Sequence, residues 1–272
     1  MAATSTSVLR RAIKFSSRIA DTVRPPARGV TVLIYHRVGA RGGGQMNLGP
    51  EVFEEQVTWL AANRRVIDLD DAVTEISGPG PVEPGVVLTF DDGTADWVDV
   101  VAPILSRHGI PATFYLTTGY ADGEHPLPDD EPAISWSGVR ELAATGLATI
   151  GSHTHSHLLL DRLDPAGIAA ELDRSIELIG ERIGEAPHHF AYPKAADPSA
   201  KAADAVRTRF ASASLAGTRA NVAGDDPHRL FRSPVQAADS FDDFRRKVDG
   251  GMGLEDALRR RLNRIRYRGA TR

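Results

Sequence analysis

The chain has 272 residues, of which 42% are hydrophobic, and this is enough to bury one large core or two small ones. It contains no cysteine, which excludes disulfides, thiolate metal ligands and cysteine nucleophiles. The formal net charge is −4, and no apolar run reaches the roughly 18 residues that a membrane-spanning helix needs.

The first predicted element is a basic amphipathic helix in residues 1–28, which carry six lysines and arginines and one acid. Its apolar residues recur at helical spacing and form one face, namely Val8, Ala12, Phe15, Ile19 and Val23. Charges interrupt the segment every few residues. It therefore lacks the apolar stretch of a secretory signal, and we expect a cytoplasmic protein.

The middle of the chain alternates between predicted strands and predicted helices. Seven short β-rich runs are predicted, at residues 30–36, 85–90, 111–117, 147–153, 188–193, 209–215 and 229–235. Helical patterns are predicted at residues 51–63, 94–108, 137–145, 165–183, 198–208 and 240–249. Such alternation indicates a mainly parallel sheet. Seven strand candidates, most of them apolar enough to be covered on both faces, favour a closed or nearly closed (β/α) barrel. An open doubly wound sheet is the alternative.

The last segment, residues 251–272, is predicted to be a basic helix or tail, with seven arginines and no acid in residues 259–272. Its apolar face comprises Leu258, Leu262 and Ile265. We therefore divide the chain into an N-terminal extension (1–28), a single barrel domain (29–250) and this tail. The basic ends would either contact an anionic membrane or pack as solvated helices on the acidic body. The acidic middle argues against nucleic acid as a partner.

The stretch VLTFDDGT, residues 87–94, carries a short apolar strand into two adjacent aspartates and a glycine. Asp-Gly after an apolar run often marks a hairpin turn. Here, however, apolar residues follow at helical spacing, namely Trp97, Val101, Ile104 and Leu105. The pair thus lies where a strand passes into a helix, the place that collects catalytic groups in α/β proteins.

Three of the nine histidines fall in the stretch GSHTHSH, residues 151–157. His153 and His157 are four residues apart, and in a helical turn this spacing would put both imidazoles on one side, with His155 pointing elsewhere. One aspartate from another strand end would complete a set of two histidines and one carboxylate, which is typical of catalytic metal sites. We expect Asp92 to be that ligand and Asp91 to act as a base on the attacking water.

With these motifs, the sequence resembles the polysaccharide deacetylases of carbohydrate esterase family 4, over about residues 30–248. TFDDG matches the first family motif, and His153 with His157 matches the His-Ser/Thr-x-x-His motif. LIYHRV, GIPATFYLTTGY and HFAYPKA look like the branch whose third motif reads Phe-Ala-Tyr-Pro. The resemblance implies a distorted (β/α)7-type barrel and deacetylation of N-acetylated saccharides. It also implies Asp91 as general base and a divalent metal, most often Zn²⁺, on Asp92, His153 and His157.

The sequence departs from the family pattern in the third motif. In well-studied members this motif reads Arg-x-Pro-Tyr/Phe-Gly, whereas the matching positions here are Ala191, Tyr192, Pro193, Lys194 and Ala195. The arginine that orients the catalytic aspartate is therefore missing, and Ala191 cannot replace it. The backbone N–H of Lys194 would still be available to the oxyanion.

A second departure concerns the general acid. The late Leu-x-His motif aligns with LFR, which puts Arg232 where the histidine is expected. An arginine is a poor proton donor, so we expect Arg232 to stabilise the oxyanion or to hold a substrate anion. His36, at the carboxyl end of the first strand, is the expected substitute acid, and His189 is expected to be structural.

The nature of the substrate is less constrained. Aromatic residues make up 6% of the chain, and a modest groove could use Tyr35, Tyr115, Tyr120, Trp136 and Tyr192, of which we expect Tyr192 and Trp136, with Pro193, to bind substrate. The predicted function is metal-dependent N-deacetylation of a soluble or lipid-linked saccharide. The alternatives are a saccharide-binding barrel that has lost turnover, and a hydrolase of a non-sugar amide or an O-acetyl ester.

Overall fold

The computed structural model describes residues 2–266 except 41, 43 and 196, and side chains from residue 12 to residue 262 except those three and residue 195. The strands are β1 (Val30–Tyr35), β2 (Arg37–Val38), β3 (Asn47–Leu48), β4 (Gly85–Asp92), β5 (Ala112–Leu116), β6 (Ala148–Ser152), β7 (His189–Ala191), β8 (Ser212–Ala216) and β9 (Leu230–Pro234). The helices are α1 (Ala2–Val23), α2 (Pro50–Asn63), α3 (Leu69–Ser77), α4 (Ala102–His108), α5 (Thr118–Ala121), α6 (Trp136–Ala143), α7 (Pro165–Ile183), α8 (Ala200–Arg207), α9 (Phe241–Val248) and α10 (Gly253–Arg266).

Seven of the strands form a closed parallel barrel in the order β1-β4-β5-β6-β7-β8-β9. β9 closes the barrel by pairing with β1, with Val32 opposite Arg232. The predicted barrel is thereby confirmed, and the open doubly wound sheet is wrong. Closure matters for function because it brings the carboxyl ends of all seven strands to one face.

Most predicted elements agree with the structure, and α7 has the predicted bounds. The predicted helix at 94–108 begins with a π-helical turn at Trp97–Val101 and continues as α4. The sequence analysis missed α3, although Asp68 caps it by accepting a hydrogen bond from the Asp71 N–H at 2.7 Å. It also missed β2, β3 and α5, which have only two to four residues each.

The missed helix α3 covers the amino end of the barrel. Leu69, Ala72 and Ile76 pack in one buried cluster with barrel residues such as Val30 and Val87. This apolar layer closes the barrel opposite the face where the strands end. The interior is thus a packed core, with chemistry restricted to the carboxyl face.

The two basic ends both fold as helices, α1 and α10, which contact one another. The described helices include none that is long and apolar enough to cross a membrane. The side chains of Val8 and Ile265, and residues 267–272 of the predicted tail, lie outside the described part of the chain. The boundaries proposed at residues 28 and 250 stay predictions.

His189, the first residue of β7, is fully buried beneath the barrel and has polar partners on both ring nitrogens. Its Nδ1 lies 2.8 Å from Ser212 Oγ and its Nε2 lies 3.0 Å from Asp70 Oδ1. These contacts tie β7 to β8 and to α3. A structural role for His189 is in line with this position at the amino end, away from the carboxyl face.

Burial lowers the pKa of His189, and the charge of Asp70 opposes this only in part. The unfolded chain therefore binds this proton more readily, so the histidine's contribution to stability is present above about pH 6.5 and is lost as the pH falls. We expect His189→Gln to lower the free energy of unfolding by about 1–3 kcal/mol near neutral pH and to flatten its decline towards acid pH. Urea unfolding at several pH values measures both effects.

The matched control is His188→Gln, because His188 adjoins His189 but its side chain is 63% exposed. We expect this variant to keep the wild-type stability and pH dependence. An unchanged acid decline in the His189 variant would contradict the assignment.

Candidate active site

The two adjacent aspartates lie at the carboxyl end of β4, and a backbone reversal follows them at once. Asp92 has φ 84° and Gly93 has φ 106°, both in the left-handed region. A Cβ on Gly93 would come within 2.7 Å of Leu116 Cδ1, so this position requires glycine on both conformational and steric grounds. The chain then enters the π-helical turn rather than a hairpin, as predicted.

Asp92, His153 and His157 come together at this face, and we call these three side chains, which could hold a metal ion, the metal group. One ligand atom from each residue lies within 4.8 Å of the other two. Asp92 Oδ1 is 3.6 Å from His153 Nε2 and 3.4 Å from His157 Nε2. The side chains of Asp92 and His157 keep 14% and 16% of their surface exposed, so solvent reaches the group.

The predicted reason for the convergence of the two histidines is wrong, although the convergence itself is present. Residues 153–157 form no helix; Thr154 has φ 67° and His157 has φ 56°. The loop is fixed instead by the His157 N–H, which donates to Thr154 Oγ1 at 3.0 Å, and by the Ser156 N–H, which donates to Glu171 at 2.8 Å. Two left-handed residues therefore bring the imidazoles together.

The chemistry of the three ligands fits a divalent transition metal. His153 Nδ1 donates to the carbonyl oxygen of Ala191 at 2.7 Å, and this bond places the proton on Nδ1 and leaves the Nε2 lone pair facing Asp92. Burial lowers the pKa of His157 to about 4, against the raising effect of the Asp92 carboxylate. His157 is therefore neutral at pH 7, as a metal ligand must be.

His155 points away from this group, as predicted. Its Nδ1 lies 2.9 Å from Thr118 Oγ1 and its Nε2 lies 3.0 Å from Glu124 Oε2. The middle histidine of the motif thus anchors the loop to the segment after β5.

Asp91 is held by a buried two-pronged ion pair with Arg232 of β9. Arg232 Nη1 donates to Oδ1 at 2.7 Å and Nη2 donates to Oδ2 at 2.9 Å. Nη1 also donates to Thr89 Oγ1 at 3.0 Å, so a second residue of β4 orients the guanidinium. The side chain of Arg232 is fully buried and that of Asp91 is 5% exposed.

This pair determines the ionisation of Asp91. Burial alone would raise the pKa of Asp91, but the charges of Arg232 and His153 and the hydrogen bonds from Arg232 outweigh it and lower the pKa to about 2. Asp91 therefore stays ionised throughout the neutral range. Its two oxygens are fixed in direction by a planar fork that lysine could not reproduce.

The geometry corrects two predictions. Arg232 is not available to hold a substrate anion, because both terminal nitrogens are bound to Asp91 and the side chain is fully buried. The aspartate does not lack an orienting arginine either. An arginine from β9, rather than one at position 191, contacts the carboxylate of Asp91, and Ala191 is buried in an apolar cluster of the barrel.

His36 lies directly after β1, among the charges of the site. Burial lowers its pKa, the carboxylates of Asp92 and Asp91 raise it, and Arg232 and His153 lower it. His36 Nδ1 is buried with no hydrogen-bond partner among the described residues. The structure thus brings His36 to the same face as Asp91 and the metal group, while its role as an acid stays a prediction.

Lys194 and Pro193 lie in the turn that follows β7. Lys194 adopts φ 56°, a costly conformation for a residue with a side chain. Burial is the main cause of the lowered pKa of His157, and the charge of Lys194 adds to it, so this turn borders the metal group. The oxyanion contact of Lys194 and the substrate contact of Pro193 stay predictions.

The aromatic residues expected to line a groove are mostly elsewhere. Tyr192 is 4% exposed and packs edge-on against Phe190 outside the barrel, which contradicts its predicted contact with substrate. Trp136 donates to Asp122 at 2.7 Å and lies under Arg182, between helices rather than over the metal group. Tyr120, by contrast, has its ring 6.1 Å from that of His157.

Two further residues lie beside Arg232: Tyr115, which the sequence analysis named only as a possible groove residue, and Thr89, which it did not name. Tyr115 lies inside the barrel, 3.2 Å from Ser214, and Thr89 bonds Arg232. Tyr35 donates to Gln56 in the core. A polar residue two positions before Asp91 on the same strand was the available signal for Thr89, because alternate residues share one face.

Comparison with known proteins agrees with this geometry. The family model described as polysaccharide deacetylase matches residues 79–211. That part of the chain belongs to the polysaccharide deacetylase family. The predicted resemblance is confirmed, and the match includes Asp91, Asp92, His153 and His157.

The chain covers only part of the length of the relatives that it matches. The chain is 30% identical over 146 residues to poly-beta-1,6-N-acetyl-D-glucosamine N-deacetylase of Escherichia coli, which covers 48% of the chain and 22% of that protein. It is 28% identical over 151 residues to the Staphylococcus aureus protein of the same name, which covers 52% of the chain and 51% of that protein. The chain thus spans at most about half the length of these two relatives.

Solved structures confirm the fold. IcaB from Ammonifex degensii matches with a TM-score of 0.70 and 23% identity, covering 82% of this chain and 97% of that one. The Streptococcus pyogenes deacetylase PplD, solved with acetate, matches with a TM-score of 0.70 and 18% identity, covering 82% and 99%. The seven-stranded deacetylase barrel is therefore shared.

Metal analysis tests the ligand set. We expect the full chain to bind one Zn²⁺ or Co²⁺. Asp92→Ala, His153→Ala and His157→Ala should each weaken that binding by at least about 10- to 100-fold, because loss of a residue that only supports a metal ligand already costs this much. Isothermal titration of chelator-treated protein gives the affinities. The matched control is His155→Ala, which removes an imidazole from the same loop and should retain the metal. Equal losses in all four variants would show a loop effect rather than ligation.

Proposed function

We propose that the chain is a metal-dependent deacetylase, which hydrolyses the N-acetyl amide of a saccharide to a free amine and acetate. The observation that carries this proposal is the placement of Asp91, ionised and held by Arg232, beside a group of two histidines and one aspartate. Membership of the matched region in the deacetylase family supports the saccharide substrate class. The relatives named as N-acetyl-D-glucosamine deacetylases support an N-acetylated hexosamine within it.

We propose Zn²⁺ as the ion held by Asp92, His153 and His157, because two imidazoles with one carboxylate are a common catalytic zinc set. Bound there, it would polarise the acetamide carbonyl and acidify a water molecule. The proton of the attacking water goes to Asp91, whose carboxylate is ionised and aimed before the reaction begins. The backbone N–H of Lys194 donates to the oxygen of the former carbonyl as negative charge develops on it.

The carbon–nitrogen bond then breaks, and the leaving amine needs a proton. We propose His36 as the donor, because it follows β1 at the same face as Asp91 and Asp92 and its buried Nδ1 has no hydrogen-bond partner among the described residues. Pro193 and Tyr120 border the position of the sugar in this scheme. The products are acetate and an amino sugar.

The alternative function, a saccharide-binding barrel that has lost turnover, has weaker grounds once the structure is considered. It rested on the missing arginine and the missing acid histidine. Arg232 contacts Asp91 in place of the first, and in this proposal His36 takes the part of the second. A site under no selection would not be expected to keep a buried arginine, which is costly unless fully paired.

The decisive assay is acetate release from N-acetylated chitooligosaccharides by the zinc-loaded chain. We expect Asp91→Asn to reduce kcat by more than about 10²-fold with zinc content unchanged, since it removes the base and keeps the shape. Arg232→Lys keeps the charge but not the two-pronged contact, and should lower kcat with little change in KM. Full acetate release by Asp91→Asn would refute the assigned base.

A separate prediction concerns His36. We expect His36→Ala to lower kcat for the acetamide by about 10²–10⁴-fold, because amine expulsion requires protonation. Hydrolysis of an O-acetyl ester, whose leaving group needs less help, should fall less. His108→Ala on α4, far from the barrel mouth, is the control. Equal loss on amide and ester would assign His36 a structural role.

We also propose a cytoplasmic location with peripheral contact between the basic ends and the inner face of the cell membrane. The absence of cysteine and the arginine-rich ends support it. Cell fractionation before and after a salt wash tests the location.

A further inference from the structure

The helices α1 and α10 are packed on the barrel with their polar faces inward. On α1, Lys14 is 6% exposed and contacts Asp239, and Ser17 is fully buried. On α10, Asp256 is 3% exposed and its carboxylate is paired with Arg260 at 2.9 Å. An ordinary surface helix has the opposite arrangement, with its apolar stripe on the core.

The apolar faces of the same helices point outward. Eight large hydrophobic side chains are exposed in the described part of the chain, and six of them are on α1 and α10: Phe15, Ile19, Val23, Leu254, Leu258 and Leu262. Phe15 and Val23 are 62% and 81% exposed. Such a concentration marks an interaction site rather than chance exposure.

The two helices run antiparallel, so their apolar residues form one surface. The Glu255 N–H donates to Ser17 Oγ at 2.8 Å. Next to this bond, a shallow groove of about 440 Å³ lies between the two helices. It is lined by Ala12, Ile13 and Ser16 on α1 and by residues such as Leu258 and Arg261 on α10. We call this surface, with its six exposed residues, the apolar ridge.

The charge around the apolar ridge is basic. Arg24 and Arg261 are exposed beside it, and the sequence adds Arg10, Arg11 and Arg264 to the same two helices. The three described acids of these helices face inward. Asp21 accepts from the Met252 N–H at 2.8 Å, Glu255 lies 3.2 Å from Lys14 Nζ, and Asp256 is buried. A second copy of this surface would bring arginine to arginine, whereas an anionic bilayer complements both features.

The helix α1, which carries half of the apolar ridge, contacts the segment that follows β9 at the carboxyl side of the barrel. Lys14 contacts Asp239, which follows the carboxyl end of β9. In the same segment, the Ala237 N–H donates to the carbonyl oxygen of Gln45, in the loop between β2 and β3. From Lys14, α1 continues for twelve more residues towards Ala2, which is about 18 Å at the helical rise. A surface bound along this ridge would therefore lie beside the mouth of the barrel.

We propose that α1 and α10 form a docking surface for an anionic lipid bilayer, and that this surface presents lipid-attached saccharides to the catalytic face. The first part of this proposal, binding to the bilayer, depends only on the apolar ridge and the arginines beside it. The second part, presentation of a lipid-attached saccharide to the catalytic face, rests on the deacetylase function proposed above. The lipid carries the saccharide to within reach of Asp91 without requiring a long binding groove, and no aromatic platform other than Tyr120 borders the metal group among the described residues.

Vesicle sedimentation of the full chain tests the first part, binding to the bilayer. We expect binding to phosphatidylcholine vesicles that contain phosphatidylglycerol, weaker binding without it, and weakening by salt. The triple variant Phe15→Gln, Ile19→Gln, Leu258→Gln should bind at least about tenfold more weakly. Arg24→Gln with Arg261→Gln should reduce the preference for the anionic lipid.

Matched controls separate the ridge from general surface effects. Val52→Gln changes a residue on α2 that is 45% exposed, and Arg140→Gln changes an exposed arginine on α6; both should bind as the wild type does. Absence of wild-type binding, or equal loss in the controls, overturns the proposal. So does light scattering that shows a lipid-free dimer dissociated by the triple variant, since the ridge would then serve a second copy.

Paired substrates test the second part. We expect the zinc-loaded wild type to deacetylate an N-acetylglucosaminyl lipid in anionic vesicles faster than a soluble chitooligosaccharide. The triple variant should lose at least about tenfold on the vesicle substrate and keep its soluble rate. Vesicle binding without any acetate release would refute the proposed function and leave docking intact. Docking with equal rates on both substrates would refute lipid presentation alone.

Discussion

The ion pair between Asp91 and Arg232 is the interaction on which the candidate site depends. Arg232 is on β9 and Asp91 is on β4, and the two strands flank β1 in the closed barrel, so the pair exists only if the barrel closes. Removing one partner of such a buried pair costs about 3–5 kcal/mol, because the other charge is left unpaired in a medium of low dielectric constant. The ionisation of Asp91, the proposed base, therefore depends on closure of the barrel, because closure brings Arg232 to it.

Backbone strain is concentrated around the same face. Seven described residues other than glycine have positive φ, and four of them surround the metal group: Asp92, Thr154, His157 and Lys194. Each such conformation costs of order 1 kcal/mol or more and persists only where the surroundings enforce it. The strain places three strand-end turns so that their side chains and backbone groups converge. The regular core beneath, with α3 and His189 at the opposite end, supplies the stability that tolerates this cost.

The two terminal helices, α1 and α10, bury polar side chains and expose apolar ones, whereas the barrel buries its apolar side chains. Lys14 and Arg18 face the acidic start of α9, where Arg18 lies 2.9 Å from Asp243, so the expectation of basic helices packed on an acidic body holds for their inner faces. Their outer faces carry the exposed apolar residues. The inner faces therefore agree with the packing alternative, whereas contact of the outer faces with a membrane stays a proposal. Electrostatic packing to the protein leaves the apolar stripe available for another partner.

Periodicity and short motifs are local properties of a chain, and they were enough to predict the seven strands, most helices, the strand-to-helix position of Asp91 and Asp92, and the three side chains that could hold a metal ion. The tertiary structure alone decided three things. It paired Arg232 with Asp91, which are 141 residues apart. It also turned Tyr192 into the outer core, and brought His153 and His157 together through a left-handed loop instead of a helix. Such outcomes depend on which distant strands become neighbours and on which backbone conformations the surroundings enforce, and neither is written in local spacing.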